Sequence, residues 1–157
     1  MTTSDFTITF PVDQTREEVF NAINNVRGWW SETIEGSTEK LNDEFIYRHK
    51  ELHYSKQQLI EVVPNKKVVW IVTDSSLSFI ENKSEWTGTK ISFEIFEKDN
   101  KAQMRFIHHG LVPQCQCFEA CFNGWSYYIS DSLLPLITTG KGQPDPIEEA
   151  AAAHSEL

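Results

Sequence analysis

The sequence predicts an α+β domain in which a curved antiparallel sheet wraps around one long C-terminal helix, with two short helices after the first strand. Two observations carry this expectation. Between Phe45 and His109 five segments rich in β-branched and aromatic residues follow one another, separated by turn-forming pairs. After Pro113 the apolar period changes from two to between three and four, the spacing of a helix that buries one face.

At the start, Phe6, Ile8 and Phe10 alternate with Thr7 and Thr9, the pattern of a half-buried strand, and Pro11 closes it. Asp13 to Thr15 can cap a helix whose apolar positions are Val19, Phe20 and Ile23, with Glu17 and Glu18 at its positive end. That helix is expected to stop near Asn24 and Asn25, and Val26 to Trp30 reads as a second brief helix or turn. Ser31 to Thr38 is a candidate short strand. The main strands are expected at Phe45 to His49, Leu52 to Val63, Lys66 to Thr73, Thr89 to Glu97 and Ala102 to His109, and a meander of hairpins is the simplest way to join them.

The long helix is read from Phe118, Cys121, Phe122, Trp125, Ile129, Leu133 and Leu136. Gly124 costs such a helix about 1 kcal/mol relative to Ala, so its presence suggests close approach to a backbone or a ligand. Pro135 is expected to kink or loosen the last turns. The domain is placed at residues 1–140, with residues 141–157 as a poorly ordered tail in which Ala150 to Ala153 form a short helix at best.

Composition excludes several functions. The chain has 157 residues, with 10 Phe and 5 Trp, enough apolar area to offset the entropy of ordering a single domain. A formal net charge of -9 repels phosphate backbones and anionic lipid, so neither nucleic acid nor membrane is an expected partner. No apolar run approaches a membrane span and no secretory signal is visible, which places the protein in the cytoplasm. The 3 cysteines, Cys115, Cys117 and Cys121, crowd one segment in an odd number and read as reduced thiols.

Several motifs together resemble a known family. These are Phe10-Pro11-Val12, Glu18-Val19-Phe20, Ala22-Ile23, Trp29-Trp30, and Trp86-Thr87-Gly88-Thr89 leading into Ile91 and Phe93. They continue through Phe106, His108-His109-Gly110-Leu111, Cys121-Phe122-Asn123-Gly124-Trp125, Ser132-Leu133 and Gly140-Lys141-Gly142. In order and spacing they resemble the START-like (SRPBCC, helix-grip) superfamily, in the branch similar to the C-terminal domain of the activator of the heat-shock-protein-90 ATPase. The resemblance implies a helix-grip fold and an apolar cavity between sheet and helix. It carries no shared catalytic motif. Relatives of this fold bind lipids, sterols, polyketides or hormones, some are cyclases, and the chaperone activator stimulates a partner's ATPase.

The candidate ligand-binding residues are Trp30, Phe79, Trp86, His109, Phe118, Phe122 and Trp125. Large apolar side chains at such spacings also build cores, and about half of the aromatic residues are expected to touch no ligand. Trp86 and Phe79 stand out, because they fall in a loop where an apolar side chain must cover either a pocket entrance or a partner. Tyr128 and the indole nitrogens could supply orienting donors. Successive strand residues face opposite sides, so only one of His108 and His109 points inward, and the register decides which. His109, near the expected mouth, is either a ligand-bonding imidazole or one satisfied by backbone or Glu119.

Imidazoles and thiolates suit zinc, but Cys115, Cys117 and Cys121 follow C-x-C-x-x-x-C rather than paired C-x-x-C, and Cys121 also reads as a core thiol. No metal and no cofactor are assigned. The leading expectation is a binding domain for an apolar or amphipathic small molecule, as monomer or homodimer. Two other classes stand beside it: a protein-interaction module acting on a chaperone ATPase, and a cyclase or dehydratase using His109 as general acid or base.

Overall fold

Alternation along the longer strands turns one face of a single sheet into an apolar floor, and the C-terminal helix lies on it. In this computed structural model the described residues are 5–49, 53–78, 80, 81 and 83–145. The strands are β1 (Phe6–Val12), β2 (Glu35–Gly36), β3 (Glu44–His49), β4 (His53–Val63), β5 (Lys67–Leu77), β6 (Lys90–Lys98) and β7 (Lys101–His109). All neighbours are antiparallel, in the order β1-β7-β6-β5-β4-β3-β2. The meander therefore runs from β2 to β7, and β1 pairs back onto β7.

Helices α1 (Arg16–Asn24) and α2 (Val26–Trp29) carry the chain from β1 to the opposite edge. Thr15 caps α1, its hydroxyl accepting from the Glu18 amide at 3.1 Å, while Val19 and Ile23 are buried. The expected strand between Ser31 and Thr38 reduces to the two residues of β2. β5 extends past the expected Thr73 to Leu77, because a bulge at Thr73 shifts its register against β4 and lets pairing resume at Asp74.

The C-terminal helix, α3, has three parts: an α-helical turn set Phe118–Trp125, a wider i→i+5 segment Ser126–Leu133, and an α-helical end Leu134–Thr139. Pro135 explains why the widening falls here. It has no amide hydrogen and its ring crowds the carbonyl four residues back, that of Asp131, which instead accepts from Gln143 Nε2 at 3.1 Å. The loosening expected from Pro135 thus lies before it.

Past Gly140 the chain returns to the domain. Residues 141–145 run between α2 and α3, held by Gln143 N on Ser132 Oγ (2.7 Å) and by a backbone pair between Asp145 and the segment Trp30 to Glu32. Gly142 is required at this crossing, since a Cβ there would collide with the Gly28 carbonyl oxygen. Ser132 Oγ also donates to the Trp29 carbonyl at 2.6 Å, so one hydroxyl ties three chain segments together. Ala150 to Ala153 lie outside the described residues.

Aromatic rings fill the space between sheet and helix. Trp29, Trp30 and Trp70 stack near-parallel, with Trp30 and Trp70 centroids 5.9 Å apart at 1°. Phe93 meets this stack from β6, Phe106 on β7 packs against Phe93, and Trp125 packs on Phe106 at 4.7 Å. The β7 register puts Ala102, Met104, Phe106 and His108 on this inner face. His108 is fully buried, accepts at Nδ1 from Trp125 Nε1 (3.0 Å), and carries its proton on Nε2 toward Thr89 Oγ1 (2.9 Å). That hydroxyl passes its own proton to the Trp86 carbonyl at 2.6 Å.

Burial, helped by the neighbouring His109 and His53, lowers the His108 pKa to about 3. An unfolded His titrates near 6.5, so the stability gained from neutral His108 is fully present above that pH and is lost as pH falls toward 3. Urea denaturation should show His108 accounting for about 1.5 kcal/mol of lost stability between pH 6.5 and pH 5, and the His108→Gln variant should lack that component of the slope. Phe106→Ala should lower stability by about 3–5 kcal/mol in the same measurement at neutral pH, because the ring is completely buried among Phe6, Phe93 and Trp125.

Candidate functional site

The aromatic packing does not close over the whole sheet. Toward the β3 and β4 side, a cleft of about 310 Å³ remains between α3 and the inner face. One face of α3 forms one wall through Ala120, Cys121, Gly124, Trp125 and Tyr128, spaced as successive turns require. The opposite wall is the row Tyr47, His49 and His53, which the hairpin register brings side by side, with His49 directly across from His53. Trp30 from the end of α2 and Trp86 from the β5–β6 loop complete it.

Gly124 has open space where a Cβ would sit, so its role is to leave the cleft unfilled rather than to admit a neighbouring backbone. Trp86 is buried and held from four sides. It stacks on Trp125 at 5.6 Å and 10°, meets His53 and His108 edge-on, and donates from Nε1 to Cys121 Sγ at 3.3 Å. Its loop is anchored by Glu85, whose two carboxylate oxygens accept from the backbone amides of Gln116 and Cys117 at 2.9 Å each.

The far end of the cleft is polar. Asp145, at the end of the returning segment, accepts from Tyr47 Oη at 3.0 Å and from Tyr128 Oη at 2.9 and 2.8 Å, and its Oδ2 lies 3.1 Å from His49 Nδ1. The two phenols are themselves 3.0 Å apart. Burial, with the partner phenol and the Asp145 charge, pushes the Tyr47 pKa well up, and burial with Asp145 does the same for Tyr128. Both are therefore neutral donors. Desolvation and the adjacent His49 pull His53 down to about 3, against the opposing pull of Asp145, so His53 is a neutral imidazole with Ser55 Oγ 3.2 Å from Nε2.

Of the residues singled out from sequence, Trp30, Trp86 and Trp125 line this cleft. Phe118 and Phe122 turn the other way along α3, where Phe122 is 45% exposed and packs edge-on against Phe6. His109 stands on the outer face of β7, with Nε2 at 2.9 Å from Ser92 Oγ and Nδ1 at 3.5 Å from Asp5 Oδ2, and its partner is not Glu119. The inward imidazole is His108, and both of its nitrogens are engaged within the core. Phe79 lies outside the described residues.

The cysteines do not converge on the two histidines. Cys115 Sγ donates to the Gly110 carbonyl, hydrogen bonding to Cys121 and burial push the Cys117 thiol up, and Cys121 accepts from Trp86. Among the described residues no three His, Cys, Asp or Glu side chains gather to hold a metal ion. Nor, among them, is any helix long and apolar enough to cross a membrane.

Sequence reasoning missed Tyr47, His49, His53 and Asp145. The first two were within reach, since the strand that buries Phe45 must turn Tyr47 and His49 to the same face. Asp145 carried no such signal, as it follows a Gly and Pro stretch with no apolar period.

No curated protein sequence matches the chain. Among solved structures, the Aha1 dimer from Colwellia psychrerythraea superposes with a TM-score of 0.70 at 20% identity, covering 88% of this chain and 99% of that one. The Mll3558 protein from Rhizobium loti gives 0.67 at 15% identity, over 87% and 97% of the two chains. CalU16 from Micromonospora echinospora gives 0.58 at 12% identity, over 95% and 80%. These likenesses establish a shared helix-grip fold. The model of the family described as activator of Hsp90 ATPase homolog 1-like protein matches residues 13–137, and the chain belongs to that family.

Proposed function

We propose that this protein binds an apolar or amphipathic small molecule in the cleft between the sheet and α3. The observation that supports this most directly is the cleft itself: three tryptophans wall a space of about 310 Å³ beside an otherwise tightly packed aromatic core. That volume lies at the lower end of the roughly 300–1,000 Å³ found for small-molecule sites and suits one fused ring system or a short chain. Trp30, Trp86 and Trp125 supply apolar contact. Tyr47, His49 and Tyr128 supply the few polar groups that orient a ligand.

Gly124 offers a direct test, because a Cβ there meets no protein atom within 4 Å and a larger side chain extends into the cleft that Gly124 lines. Indole resonances of Trp30, Trp86 and Trp125 should shift saturably when a panel of fused-ring and short-chain amphiphiles is titrated into labelled protein. Gly124→Leu should weaken that binding by about 10-fold or more, with folding stability retained within about 1 kcal/mol. Silence of all three indoles across the panel would overturn the reading. Attention would then move to a protein partner, with stimulation of a purified chaperone ATPase as the measurement.

A further inference from the structure

Building on that reading of the cleft, we infer that its ligand carries a positive charge: an organic amine or other hydrogen-bond-donating cation on an apolar ring or chain. The inference comes from where the protons go at the polar end. Tyr47 and Tyr128 have one hydroxyl proton each, and whichever phenol donates to the other, both protons are consumed between the two phenols and Asp145. His49 turns Nδ1 toward the same carboxylate, 3.1 Å from Asp145 Oδ2. A ligand reaching the two phenols therefore meets their oxygen lone pairs as acceptors, with a carboxylate behind them.

The rest of the cleft agrees. Among the described residues no Lys or Arg lines it, so an anionic head group would find no countercharge. Trp30, Trp86 and Trp125 add apolar surface for the ring or chain that carries the charge. The net charge of -9 raises the local concentration of cations around the whole molecule. A carboxylate ligand such as a fatty acid would instead approach Asp145 with like charge and with no Lys or Arg among the described lining residues.

Three probes of one shape separate the possibilities: naphthylmethylamine, naphthylmethanol and naphthoate, titrated by calorimetry and by indole NMR at pH 8. At that pH an ordinary imidazole is neutral, whereas an alkylamine is still protonated. The amine should bind about 10-fold or more tighter than the alcohol, and naphthoate weakest, as expected for a charge-assisted hydrogen bond. Asp145→Asn should erase the preference for the amine over the alcohol. Should that variant fail to fold, the ranking on the unaltered protein still decides. Equal binding of the three, or tightest binding of naphthoate at the same indoles, would overturn the cationic ligand while leaving the cleft as a binding site. Absence of any indole shift with all three would overturn both.

Discussion

The hydrogen bond from the Trp125 indole to His108 fixes the depth at which α3 sits on the sheet, and the other features of the interior follow from it. A purely apolar contact would let the helix slide or roll, since burial is non-directional. One nitrogen donating to another at 3.0 Å sets both distance and rotation. With Trp125 held, its ring becomes the surface on which Trp86 stacks, and Trp86 in turn holds its loop against Cys121 and His53. The cost of placing an imidazole in a fully buried position is met because His108 is neutral and both nitrogens have partners.

From that fixed point the interior divides into two regimes. Around Trp29, Trp70, Phe93 and Phe106 the rings interlock and leave no room. Toward β3 and β4 small or short groups replace them: Ser55 on the sheet, Ala120 and Gly124 on the helix. The same chain is thus packed as a core at one end and held apart as a cleft at the other. A network of tyrosine, histidine and aspartate closes the open end without filling it.

Much of the architecture was legible in the chain because two periods encode it. The alternation in β1 and β7 survives in the structure, and so does the centre of the helical stripe, Cys121, Trp125, Ile129 and Leu133, while Phe122 is exposed and Ile137 rather than Leu136 is buried at the end. What could not be read was register and return. His108 and His109 are adjacent, and only the pairing of His108 with Phe6 and Ile91 shows which imidazole is inside. Phe118 and Phe122 share the apolar stripe with Trp125, but a stripe wide enough to bury against a curved sheet also reaches β1, and these two rings fall on that flank. The segment after Gly140 looks like an exit by composition. It returns because Gly142, Ser132 and Gln143 make a long-range contact that no local pattern announces.

That return has a bearing on how relatives of this protein are compared. The shared family region ends at residue 137, whereas the carboxylate at the polar end of the cleft belongs to residue 145. The part of the molecule that makes it recognisable and the part that sets the charge of its interior are therefore encoded separately. Substituting Asp145 alone changes the charge at that end of the cleft while the pairing of the seven strands stays as it is. Homologues with superimposable sheets can accordingly diverge in cargo, and inheritance of the fold is a poor guide to inheritance of the ligand.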